Sequence, residues 1–241
     1  MPPRSWKIFA SDAGNLYEEG ESDFEYGHEM FFDLETNETK NDRSDLSKLF
    51  DALNEAQPET YLQDIDGSLD TAHFLRFAAM EAAVDQWDMY AYTFFYPNNF
   101  RIYDDPTTGK FVFLPWGMDL ALKPFLYTGR PHISIFELSW YEDNPDHNAT
   151  NAHISTWLMF RRCLESATCK ATYTNVIREA AKTFDDAKLD TLAIKYYDQI
   201  KSHVYEDTRK EGSNEDFETA YQSLLTTIRT RTAAIRKDLG E

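Results

Sequence analysis

The stretch NNFRIYDDPTTGKFVFLPWGMD, residues 98–119, decides the fold. Its two runs, FRIY and FVFLPW, are rich in β-branched and aromatic residues. Between them, DDPTTGK offers a proline with a preset φ and a glycine where φ turns positive, so the spacing predicts a β-hairpin. Pro115 has no N–H to give to a ladder and is expected to end the second strand, leaving Trp116, Gly117, Met118 and Asp119 in an irregular segment. The hairpin is thus fenced by two amides, Asn98 and Asn99, on entry and by the carboxylate of Asp119 on exit. Ends of paired antiparallel strands lie close together, so Asn99 and Asp119 are expected to converge on one small volume.

Upstream, residues 70–86 (DTAHFLRFAAMEAAVDQ) are apolar nearly all round apart from Arg76, Glu81 and Asp85, which predicts a central buried helix. It delivers WDMYAYTFFYPNN, in which Asp88 is a lone acid among aromatics before the Pro97 turn. Further back, Leu46, Leu49, Phe50 and Leu53 stand at helical spacing, with Ser44 or Asp42 available as N-cap and Asn54 as a stop. Residues 1–43 mix aromatics, glycine and acids in short alternating runs, as expected of an irregular β edge. Downstream, a loop is expected over 124–150 and helices over 151–241. One apolar stripe there comprises Leu189, Leu192, Ala193, Tyr196, Ile200 and Val204, and a second comprises Phe217, Tyr221, Leu224, Ile228 and Ile235. The basic residues of the last helix, Arg229, Arg231, Arg236 and Lys237, read as a solvated face favourable to the helix dipole. The fold class is α+β, mostly helical, and one domain of 241 residues is expected.

Forty-two acidic against twenty-four basic residues give a net charge of -18, which repels nucleic-acid phosphates and anionic lipid and argues against both as partners. No apolar run approaches the roughly 20 residues that span a bilayer, and the N-terminal MPPRSWKIFA lacks a signal-peptide core, so a soluble chain is expected. Cys163 and Cys169, the only cysteines, are six apart, too far for a redox CxxC and too few for a thiolate zinc site. They read either as two buried thiols or as a local disulfide, and the disulfide would favour an extracellular or cell-surface location.

Asp88, Asn99 and Asp119 are hard oxygen donors. Mg²⁺ prefers one or two carboxylates together with phosphate oxygens and water, so a phosphoryl-transfer site would suit them, with an aspartate orienting a hydroxyl and an asparagine and an aspartate on the metal. Asparagines and aspartates at hairpin ends also serve as turn formers and caps. Two other classes stay open on the residues alone. One is a binding module holding a protein or glycan on an aromatic face of Tyr90, Tyr92, Phe94, Phe95 and Tyr96; the other is a metal-dependent hydrolase activating water with the same carboxylates. For the hydrolase the six histidines, His28, His73, His132, His147, His153 and His203, show no metal-ligand spacing and read as surface or loop residues, and GxSxG is absent.

Four motifs in order add a resemblance: GNLYEEG (14–20), FDLETNETKNDRSDLSKLFDALN (32–54), LDTAHFLRFAAMEAAVDQWDMYAY (69–92) and the hairpin itself, followed by a helical tail with IRTRTAAIRKDL. Together they resemble the CotH family, kinase-like proteins named for spore-coat protein H. The resemblance implies a protein-kinase-like C-terminal lobe and Mg²⁺- or Mn²⁺-dependent transfer of phosphate from ATP to protein hydroxyls. It implies Asp88 as the catalytic-loop aspartate, Asn99 as a metal-binding asparagine and Asp119 as the metal-binding aspartate. The family's PWDxD appears here as PWGMD, with Gly117 in place of one carboxylate. The family's N-terminal lobe, with its phosphate-gripping lysine, lies before the GNLY-like motif. This chain starts almost at that motif with Lys7 as the only lysine before Lys40, so that lobe is expected to be missing.

Overall fold

A computed structural model describes residues 9–19, 22–92, 97–123, 132, 134–136 and 157–241. Lys7, Phe94, Phe95, Tyr96, His147 and His153, and almost all of the expected loop over 124–150, lie outside these residues.

Four antiparallel strands form one sheet in the order β2-β1-β3-β4. They are β1 (Leu16–Glu19), β2 (Phe32–Leu34), β3 (Phe100–Asp105) and β4 (Lys110–Pro115). The hairpin of β3 and β4 runs in register from Phe100 opposite Pro115 to Asp105 opposite Lys110, and Pro115 ends the second strand as expected. Gly109 takes φ +69 in the turn, and the Asp105 carboxylate accepts from the Thr107 N–H at 2.9 Å. The N-terminal edge is more ordered than its sequence suggests, because β1 pairs with both β2 and β3.

The GNLY motif explains that pairing. A Cβ at Gly14 would stand 1.9 Å from the Asp104 carbonyl oxygen and 2.7 Å from the Tyr103 ring, so only glycine lets the backbones meet. Its N–H donates to the Tyr103 hydroxyl at 3.0 Å. Asn15 and Tyr17 then donate to the two oxygens of Asp45 at 2.9 and 2.8 Å, tying the sheet to the first turn of α1 (Ser44–Glu55). The expected capping differs in detail. The N-cap is Arg43, with Asp42 accepting from the Ser44 N–H, and Asn54 lies inside the helix, donating to the carbonyls of Phe24 and Phe50.

After α2 (Tyr61–Ile65), the buried helix α3 (Thr71–Ala83) begins on an Asp70 cap that accepts from the His73 N–H at 2.8 Å. It packs under the hairpin. Leu69 bridges Phe111, the His73 imidazole meets the Phe113 carbonyl at 2.7 Å, and the rings of Phe74 and Phe77 pack at a tilt against the Phe113 ring. The core continues as an aromatic cluster of Phe24, Phe32, Phe50, Tyr90, Phe100 and Phe113, whose large buried rings each remove well over 100 Å² from water.

The C-terminal part holds α4 (Leu158–Glu165), α5 (Ala167–Asp186), α6 (Leu189–Glu206) and α7 (Asn214–Asp238). Cys163 and Cys169 form a disulfide joining α4 to α5 across the Ser166 cap. Closing so short a loop stabilises by about 2 kcal/mol through lost chain entropy. Urea unfolding of a Cys163→Ala/Cys169→Ala variant is therefore expected to show a loss of about that size with an unchanged m-value. The stripe along α6 departs from expectation: no residue of α6 is buried, and Tyr196 and Ile200 are 56% and 44% exposed. The last helix departs in the opposite sense. Arg231, read as part of a solvated face, is completely buried, whereas Arg229 and Arg236 pair at the surface with Asp190 and Asp185. No helix among the described residues is long and apolar enough to cross a membrane.

Candidate functional site

The two amides at the hairpin entrance act as a latch. Asn98 donates its backbone N–H to the Met89 carbonyl at 2.9 Å and accepts from the Asn99 N–H through its side chain. Asn99, at φ +54, turns its side-chain N–H groups onto Asp88, at 2.8 Å to the backbone carbonyl and 2.7 Å to Oδ2. One asparagine thus fixes both the main chain and the carboxylate of Asp88. Because the amide nitrogen faces Asp88, the Asn99 Oδ1 faces the other way, toward Gly117. There a Cβ would stand 2.2 Å from that oxygen, and Gly117 is in the left-handed region at φ +56. The hairpin register makes this meeting unavoidable, since the Trp116 N–H donates to the Asn99 carbonyl at 2.8 Å.

The structure therefore brings Asp88 and Asn99 into direct contact and sets Gly117 against Asn99. Asp119 lies two residues further on, exposed in the short 3-10 turn Met118–Leu120. No hydrogen bond from Asp119 to Asp88 or Asn99 occurs among the described contacts. Nor does any group of three or more His, Cys, Asp or Glu converge among the described residues. The oxygens at hand are a carboxylate, an amide oxygen and a second exposed carboxylate, a set suited to a hard cation that keeps water and phosphate oxygens in its shell.

The chain that follows Asp88 is held by residues to which the sequence assigned no such role. Glu81, on α3 and fully buried, accepts from the Tyr90 N–H at 2.8 Å through Oε1 and from the Ala91 N–H at 2.7 Å through Oε2. Burial pushes its carboxyl up to about 8, against the backbone N–H groups of Tyr90, Ala91 and Tyr92, which pull it down. The Tyr90 hydroxyl donates to Asp23 Oδ1 at 2.9 Å, and Asp23 Oδ2 accepts from the Leu158 N–H at 2.7 Å. Burial raises the Asp23 carboxyl as well. The fully buried Gln86 donates to the Gly117 carbonyl at 3.1 Å, tying the two sides of the site together. A signal for Glu81 did exist in the sequence, as an acid on a helix apolar on nearly every face.

A group with a raised folded-state value holds its proton when the unfolded chain has already released it. Stability from Glu81 is thus greatest below about 4.5 and declines as pH rises toward about 8. Thermal unfolding followed over that window is expected to fall more gently in Glu81→Gln than in the wild type, the difference being at most about 1.4 kcal/mol per pH unit.

Just before Asp88, Asp85 sits at φ +52, buried, with the Arg231 guanidinium 3.5 Å from Oδ1 and the His132 Nδ1 3.0 Å from Oδ2. Arg231 also donates twice to the Ala82 carbonyl, at 2.8 and 2.6 Å, capping the C-terminal end of α3. The His132 Nε2 meets the Thr230 hydroxyl at 2.8 Å. This carboxylate, imidazole and hydroxyl in line resemble a hydrolytic triad, but the Thr230 hydroxyl donates to the Thr226 carbonyl at 2.8 Å, which makes the row a strut. His73 and His132 are thus structural contacts rather than loose surface residues. Tyr90 and Tyr92, offered above as part of an aromatic binding face, are buried in the core. Trp87 and Leu120, sequence neighbours of Asp88 and Asp119, line an apolar groove of about 790 Å³ formed with α6 and α7.

The sequence matches the family model described as CotH kinase protein over residues 7–235, nearly the whole chain. The chain belongs to the CotH kinase family, which suggests a kinase-like function. No curated protein matches it.

Proposed function

We propose that this chain carries the phosphoryl-transfer centre of a CotH-type protein kinase, with a protein hydroxyl as acceptor and ATP as donor. Asp88 orients that hydroxyl and takes its proton; Asn99 Oδ1 and Asp119 hold a divalent cation, Mg²⁺ or Mn²⁺. The cation, when bound, supplies charge neutralisation on the phosphate oxygens. The observation that carries the reading is the Asn99 amide, bonded to both the main chain and the side chain of Asp88 while its oxygen faces a position where no side chain stands. An asparagine in that pose sets the base and the cation ligand at one fixed separation, and fixed separation is most of what phosphoryl transfer asks of a protein. Gln86, reaching the Gly117 carbonyl, steadies the segment that leads to Asp119.

The test is transfer of label from the γ-phosphate of ATP to the chain itself or to an acceptor protein, with Mg²⁺ or Mn²⁺. Incorporation is expected to need the metal and to drop by about 100-fold or more in Asp88→Ala. Label that survives the substitution, or none in the wild type, contradicts the reading.

A further inference from the structure

We propose that Glu81 is a positioning residue for Asp88, acting through the main chain of the loop that carries it; this rests on the reading of Asp88 as the base. Ionisable groups are rarely found fully buried without a charged partner, and such a position costs several kcal/mol unless something is gained. Glu81 gains two backbone N–H donors, from Tyr90 and Ala91, at 2.8 and 2.7 Å, one to each oxygen. These two residues have no ladder partner there, being neither helix nor strand, so the side-chain oxygens of Glu81 substitute for secondary structure. The segment leaves the rigid helix α3 after Ala83, the Asn98 latch holds it at Met89, and Glu81 pins the two residues that follow. Asp88 lies two residues before the first anchored amide, too few bonds to swing independently of it. A second buried acid, Asp23, holds the Tyr90 hydroxyl at 2.9 Å and so sets the ring rather than the main chain.

The test compares wild type with Glu81→Gln, which keeps the shape and replaces one acceptor by an NH₂ donor. Two quantities are read: backbone amide exchange at Tyr90 and Ala91, and steady-state phosphate transfer split into kcat and the KM for ATP. Exchange at both amides is expected to accelerate by roughly tenfold or more. The kcat is expected to fall about 10- to 100-fold while KM stays within about twofold, as for a base displaced by about an ångström. Glu81→Asp, which keeps the carboxyl group and withdraws its oxygens by one methylene, should recover part of kcat, and it takes the place of Glu81→Gln should that variant not fold. Unchanged exchange in a folded variant overturns the proposal, as does an unchanged kcat where exchange has risen. A wild type without turnover refutes the kinase reading by itself, and exchange alone then decides whether Glu81 holds the loop.

Discussion

Arg231→Ala is expected to lower stability by about 3–5 kcal/mol, the largest loss of any single side-chain truncation considered for this chain. The guanidinium is completely buried and serves two groups that water cannot reach. It caps the α3 carbonyl of Ala82 through two N–H donors, and it stands 3.5 Å from a carboxylate oxygen of the buried Asp85. Removing it leaves Asp85 with the His132 contact but without its guanidinium, and leaves a helix C-terminus short of a donor. For a chain of this size the loss corresponds to a fall in melting temperature of about 10 °C. Asp85→Asn on top of Arg231→Ala should recover at least about 1 kcal/mol, because the buried charge that faced the guanidinium goes with it. A double variant no more stable than the single one would mean that the cap, and not the ion pair, carries the effect.

Gly117→Ala is expected to damage the site more than the fold. The new Cβ would fall 2.2 Å from the Asn99 Oδ1 and 2.6 Å from its Cγ, and a non-glycine residue at φ +56 adds about 1–2 kcal/mol of backbone strain. The neighbour that must give way is the Asn99 side chain, whose exit breaks both of its bonds to Asp88. Affinity for Mg²⁺ together with ATP should therefore fall by roughly tenfold or more, while the hairpin, held by its register from Phe100 to Asp105, keeps its circular dichroism. Binding that is unaffected would show that Asn99 has no part in it. The same crowding bears on the family's PWDxD pattern, since an aspartate at position 117 would need a different Asn99 rotamer.

How much of this was legible in the sequence depended on whether a signal was local. The hairpin, the end of its second strand at Pro115, α1 and the buried α3 all follow from turn chemistry and apolar period, which act over a few residues. The site was half legible: the strand ends pointed Asn99 toward the segment that carries Asp119, but gave no sign that its amide would bond Asp88. The four-stranded sheet was harder to foresee, because β1 and β2 are only four and three residues long and owe their place to Gly14 meeting Asp104 across the sheet. Periodicity showed that α6 has an apolar stripe and could not say what covers it. Arg231 was misread for a related reason. It falls three residues after Ile228 and four before Ile235, in the apolar stripe itself, where a long basic side chain is buried only if distant groups such as Asp85 and Ala82 wait for it. Glu81 likewise makes sense only once a loop ten residues away has folded back onto it.

The central claim, that Asp88, Asn99 and Asp119 form a cation and nucleotide site, is tested most directly by calorimetric titration of this chain with Mg²⁺ and ATP together, beside Asp119→Ala. Asp119 is exposed on a short turn, so its truncation should leave the fold intact. Heat of binding in the wild type that is lost in Asp119→Ala is the predicted result. Equal binding by both proteins, or none by the wild type, would contradict the account.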